Sequence, residues 1–225
     1  MVQGGACMSS LALKQFKETV SYQSLLLGGV TALATAILFL VANLTASAIQ
    51  QQNAQDKMDG LNQVLPPSLY SNDLLATERG WLISDASYRV FIAKNASEAI
   101  TGLAIQSVAK GYSGDIQLLV GLDAQQQIIA VRVLSHTETP GLGDKIERAK
   151  SDWVDSFYQQ SLQRLSMKQW AVKKDGGVFD QFTGATITPR AVVGQVQQTL
   201  LAVQQEILPT LLSEGYELAK GDSDE

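Results

Sequence analysis

The chain has one cysteine, Cys7, and one histidine, His136, among 225 residues. No internal disulfide can form, and neither a Cys/His zinc site nor a thiolate-held iron–sulfur cluster can be assembled from such a set. Basic charge is also scarce: 17 Lys and Arg stand against 22 Asp and Glu, a net charge of -5. That balance argues against nucleic acid as a partner, because such affinity rests on cations that neutralise phosphates. The sharpest absence is local. From Thr19 to Gln55 no residue is charged, while everything after that stretch carries 15 basic and 21 acidic side chains, a net of -6. The 45% apolar content excludes disorder for the bulk, and the length suits one globular domain with an appendage.

Residues 25–49 read LLLGGVTALATAILFLVANLTASAI, with only Thr, Ser and one Asn as polar members. At 1.5 Å rise per residue, such a helix spans a hydrocarbon core of about 30 Å. A buried core helix of this length and composition is unusual. A cleaved signal peptide competes, since Ala46-Ser47-Ala48 has the small-x-small form. However, the apolar run is longer than a cleavable one and lies behind 24 residues, which favours an uncleaved anchor. Lys14 and Lys17 precede the span and the next basic residue is Lys57, so the N-terminus is expected in the cytoplasm and the acidic remainder outside. Cys7 then sits on the reducing side as an uninvolved thiol.

Beyond the span, residues 50–63 continue as a helical stalk until Pro66-Pro67 stops it. Residues 88–93, 100–108, 116–122 and 128–134 mix β-branched and aromatic residues with alternation, and turns lie between them. This predicts an antiparallel meander. Residues 144–162 have helical spacing, with Ile146, Ala149, Trp153, Phe157 and Tyr158 as the apolar stripe, and residues 170–172 read as a short strand. A last long helix starts with Thr188 as N-cap and Pro189 at its first position. The fold class is α+β.

Three features could carry chemistry. Gly141-x-Gly143 follows a strand, but Ile146 stands where a dinucleotide loop needs its third glycine, so a Rossmann site is rejected. The run HTETPGLGDKIE, residues 136–147, packs hydroxyls, a carboxylate and two glycines into one turn, which lets backbone approach a ligand; it also reads simply as a turn. The run DQFTGAT, residues 180–186, lies just before the last helix, where a phosphate on the Thr186 hydroxyl would meet free N–H groups and the positive end of the helix dipole. By average residue usage, Asp-x-x-Thr-Gly-Ala-Thr-like strings arise by chance in about one in 1,000 chains of this length.

The anchor, the HTETPGLGDKIE loop and the DQFTGAT motif together resemble the FMN-binding domain family. Within it they resemble the G subunits of Rnf electron-transport complexes, relatives of the C subunit of the sodium-translocating NADH:quinone reductase. The resemblance implies an FMN attached by a phosphoester to Thr186, donated from FAD by a flavin transferase that reads the motif beginning at Asp180. It implies partner subunits carrying flavins and iron–sulfur centres, and a complex coupling electron transfer between ferredoxin and NAD to ion movement. The chain itself would turn over no substrate.

On that basis Glu138, Thr139, Leu142 and Gly143 are expected to line the flavin ring. Thr183, Gly184 and Ala185 are expected near the phosphate, and Lys110 or Tyr112 at the pocket. The implied organisation is a cytoplasmic segment (1–24), a transmembrane helix (25–49), a stalk (50–67), a periplasmic antiparallel-sheet FMN-binding domain with flanking helices (68–215) and an acidic tail (216–225), held in a bacterial inner membrane. Two other readings remain: a flavin-free, membrane-anchored protein-binding module, and a hydrolase using His136 and Thr186.

Overall fold

A computed structural model describes residues 20–219. Cys7, Lys14 and Lys17, on which the expected orientation depends, lie outside the described residues, as do residues 220–225 of the expected tail. The chain divides into two units, one ending at Asn53 and the other starting at Ala54.

The first unit is helical throughout its described part, residues 20–53, and belongs to helix α1, Val20–Asn62. Among the described residues, one stretch, Tyr22–Ala46, is long and apolar enough to cross a membrane, and its side chains are unburied. Leu25, Phe39 and Leu44 each expose more than 70% of their surface. The few polar groups bond back along the helix. Thr31, Thr35 and Thr45 donate to the carbonyls of Leu27, Thr31 and Val41, and Asn43 donates to that of Phe39 at 2.8 Å. These bonds hide donors that hydrocarbon could not satisfy.

The second unit is built on a five-stranded antiparallel meander in chain order: β1 Arg79–Ile83, β2 Ala86–Lys94, β3 Ile100–Lys110, β4 Asp115–Asp123 and β5 Ile128–Ser135. Both faces are covered. The paired row Val90, Ile105, Val120 and Val131 faces one core with Val192, Val196 and Leu200 of helix α2, Ile187–Ala202. In the neighbouring row, Phe91 and Ala104 face a second core with Leu61, Val64, Leu65 and Leu74. Gly121 belongs to that row, and a Cβ there would lie 2.1 Å from the Val64 carbonyl oxygen, so glycine permits this close approach. With both faces covered, consecutive residues of β3, Leu103, Ala104 and Ile105, are all buried.

Several expectations need correction. Strand β1 is an addition to the expected meander: it is a five-residue edge strand, joined to β2 through Ser84 and Asp85 at positive φ without the usual Asn-Gly signal. Residues 144–162 are not a helix but irregular chain with short 3₁₀ turns at Asp144–Ile146 and Trp153–Phe157. Ile146, Trp153 and Phe157 are buried as the stripe required, but Ala149 and Tyr158 are exposed, so the spacing serves a packed loop. The expected strand at 170–172 is a single bridge between Val172 and Phe179. Leu61, Val64 and Leu65, expected in a stalk, are core residues of the second unit. Residues 217–219, expected in a tail, are tied to the start of β3 by an isolated parallel bridge: Ile100 donates to Glu217 O and Ala219 donates to Ile100 O.

After α2 the helical path widens into a π turn, Val203–Ile207, and continues as α3, Leu208–Ser213. Pro209 has no N–H and would clash with the carbonyl of Gln205 in a regular helix, and the wider turn accommodates it.

Candidate cofactor site

Three loops converge beside the start of α2. The β3–β4 turn supplies residues 111–114, the segment after β5 supplies residues 136–144, and the DQFTGAT segment leads into the helix. Glu138, only 4% exposed, ties them together. One carboxylate oxygen accepts the Ser113 N–H at 2.9 Å and the other accepts the Thr188 hydroxyl. Any side chain at Gly111 or Gly143 would press on this carboxylate, since a Cβ would lie 2.4 Å and 3.1 Å from its oxygens.

The following turn is braced from outside. The N–H of Glu138 donates to His136 Nδ1 at 3.0 Å, which puts the ring proton on Nε2, where it bonds Glu147 at 2.8 Å. Lys150 bridges Glu147 and Asp144 at 2.8 and 3.0 Å. Asp144 is held below the ordinary carboxylate range by the N–H of Gly141 and then by Lys150, and Glu147 is lowered by Lys150 and then by His136. The same two carboxylates raise Lys150. Both nitrogens of His136 are therefore committed to the loop's architecture. The hydrolase reading loses its base.

The DQFTGAT segment rests on an aromatic plug. Phe182 is 6% exposed and packs edge-on against Trp153, with ring centres 5.2 Å apart, and the indole N–H of Trp153 donates to the Asp180 carbonyl at 2.8 Å. The chain then turns back: Ala185 N–H donates to Phe182 O, and Gly184 sits at φ +83, where a Cβ would also press Leu142 at 3.3 Å. The Asp180 carboxylate points outward to Lys173 at 2.6 Å.

These elements enclose a cavity of about 390 Å³ lined by Tyr112, Glu138, Thr139, Leu142, Gly143, Gly184, Ala185, Thr186, Ile187 and Thr188. Eight of these are the residues expected from sequence. Two others fall elsewhere: Lys110 pairs with Asp115 at 2.7 Å with its side chain 81% exposed, and Thr183 is exposed outside the lining. Ile187 and Thr188 join the lining without having been expected there. Thr188 reads as the helix N-cap in sequence, but α2 begins at Ile187, Thr186 holds the cap position, and the Thr188 hydroxyl serves Glu138 instead. Its Thr-Pro signal correctly marks a helix start but not the long-range partner, which lies 50 residues away.

Residues 111–201 match the FMN-binding domain family, and residues 8–64 match the RnfG N-terminal region. The G subunit of the ion-translocating oxidoreductase complex of Stutzerimonas stutzeri is 47% identical over 191 residues, covering 84% of this chain and 82% of that protein. Its counterpart of the same name from Shewanella loihica is 44% identical over 203 residues, covering 85% and 94%. The C subunit of the sodium-translocating NADH-quinone reductase of Parabacteroides distasonis, a solved structure, aligns at TM-score 0.42 and 22% identity over 53% of this chain and 62% of that one, a likeness too slight to add to the sequence matches. At such identity over most of both lengths, the chain belongs to the family of ion-translocating oxidoreductase complex G subunits.

Proposed function

We propose that this chain is the electron-relay subunit of a membrane-bound, ion-translocating ferredoxin:NAD oxidoreductase complex, carrying electrons on an FMN joined through a phosphoester to Thr186. The carrying observation is the position of Thr186: it is partly exposed at the cavity edge, at the start of the 16-residue helix α2, inside the DQFTGAT motif. The surroundings fit such a group. Unpaired N–H groups and the positive dipole end of a helix suit a phosphate, and about 390 Å³ lies within the range of small-ligand pockets. Gly143 and Gly184 let backbone come close, and Leu142, Ile187 and Tyr112 give apolar walls.

A threonine hydroxyl is a weak nucleophile, and the one carboxylate in the lining, Glu138, is engaged by Ser113 and Thr188 and not by Thr186, so attachment falls to a separate flavin transferase. In that step the Thr186 oxygen bonds the FMN-side phosphorus of FAD, the bond to AMP breaks with its electrons leaving on AMP, and the hydroxyl proton passes to the transferase. The bound flavin supplies reversible electron uptake. This chain's residues hold its phosphate, wall its ring and exclude water, and no substrate is converted. Other subunits bearing flavins and iron–sulfur centres act as donor and acceptor. The domain is read as periplasmic, anchored in the bacterial inner membrane by the 22–46 span with the N-terminus in the cytoplasm.

The test is intact mass after expression with and without a flavin transferase. A gain of one FMN is expected only with it, and Thr186→Ala should abolish both the gain and the flavin fluorescence of the denatured, gel-separated band. Fluorescence that persists in Thr186→Ala would refute the attachment site.

A further inference from the structure

Glu138 stands out among the cavity residues for its charge. It is the only Asp, Glu, Lys, Arg or His in the lining, and it is 4% exposed. Both its partners are neutral donors, the Ser113 N–H and the Thr188 hydroxyl, and among the described residues no cation pairs with it. Of the lysines in the adjoining segments, Lys110 pairs with Asp115, Lys150 pairs with Asp144 and Glu147, and Lys145 is exposed and makes no ion pair with Glu138. Neutral donors satisfy a carboxylate's lone pairs without cancelling its charge, and burial limits screening by water and salt. The cavity therefore has an uncompensated negative charge on one wall.

A cofactor that gains an electron in this cavity gains negative charge beside that wall. Like charges within about 4–6 Å shift protonation equilibria by about a factor of ten or more, and the same electrostatic work opposes electron uptake. Resting on the reading of this cavity as an FMN site, we infer that Glu138 is a tuning residue that holds the flavin at a low reduction potential. Electrons placed on the flavin would then remain able to reduce the next carrier. The same hydrogen bonds that join the three loops fix the carboxylate in place, so its effect on the flavin does not depend on a mobile side chain.

The experiment is a spectroelectrochemical titration of the full-length, flavinylated protein in detergent, with loading first confirmed by mass. Glu138→Gln keeps an acceptor for Ser113 and a group that can bond Thr188, but removes the charge. It should raise the reduced-to-oxidised ratio at fixed ambient potential at least tenfold, equal to about 59 mV for a one-electron step. Glu138→Asp retains the charge and should stay within about threefold of the unmodified protein. A Glu138→Gln shift below threefold, or equal shifts in the Gln and Asp variants, would overturn the inference and leave a packing role. If Glu138→Gln does not load flavin, Thr139→Lys decides. It brings a cation to the same wall without touching the ties of Glu138 and should raise the ratio in the same direction, whereas no change would sink the proposal. Absence of flavin from the unmodified protein would instead count against the site itself.

Discussion

Trp153→Phe isolates the support beneath the DQFTGAT segment. The indole N–H bond to the Asp180 carbonyl is lost, and because Asp180 is exposed its carbonyl can turn to water, so this loss costs about 1 kcal/mol, the low end for such bonds. The smaller ring also removes about two buried carbons from a site 7% exposed, at about 0.8 kcal/mol each. The total is about 2–3 kcal/mol. For a domain of this size each kcal/mol lowers Tm by about 2–4 °C, so a fall of about 5–10 °C is expected. The assay is thermal unfolding of the detergent-solubilised protein by near-ultraviolet circular dichroism. A separate cycle pairing Trp153→Leu with Phe182→Leu, which removes both rings, should give a coupling of about 0.5–1.5 kcal/mol, as expected for the edge-on pair. A Tm change under 1 °C, or zero coupling, would show that the motif does not rest on this ring.

The acid limb of the stability profile should depend on the loop braced by Lys150. Asp144 and Glu147 are lowered, so their contribution is complete above about pH 4.5 and lost as pH falls through their lower folded values. Lys150 is raised, so its contribution is complete below about pH 10 and lost only as pH rises through its higher folded value. Tm measured against pH should therefore be steeper below pH 4.5 for the unmodified protein than for Lys150→Met, and equal slopes would refute the role of this network. Gly121→Ala should prevent the second unit from folding, because the added carbon would lie 2.1 Å from Val64 O, whereas Gly60→Ala meets nothing closer than Leu134 at 3.8 Å and should be neutral or raise stability by up to about 1 kcal/mol. Proteolytic resistance of the two variants separates them, and a fully resistant Gly121→Ala protein would contradict the packing described.

Strands β2 to β5 are legible in the sequence because each is long enough for β-branched residues and turn signals to register. Strand β1 is not, since an edge strand with alternate residues exposed carries half the signal and this one has a glycine inside it. The loop over 136–162 misleads periodicity. Its buried Ile146, Trp153 and Phe157 recur at helical spacing, but the chain is directed by side-chain bonds such as His136 to Glu147, which join residues 11 apart and leave no periodic trace. Most of the cavity lining is legible because glycines and hydroxyls cluster in two short runs. Lys110 is misplaced by such reasoning because a charged residue next to a glycine turn can point either way, and here Asp115 draws it across the hairpin.

The burial of Leu61, Val64 and Leu65 bears on where this protein can be divided. Each such side chain contributes about 1.5–3 kcal/mol by leaving water, so the three together contribute about 5–8 kcal/mol, comparable to the whole net stability of a typical domain. A soluble version that begins at residue 68, where the prolines invite a cut, would expose Phe91, Ala104 and Leu119 on the opened sheet face and should aggregate. One that begins at Ala54 retains Met58 and the residues that follow it, and with them the second core. The end of α1 therefore belongs to the globular domain as a permanent part of its hydrophobic interior, and a secretable flavin carrier made from this protein would have to keep it.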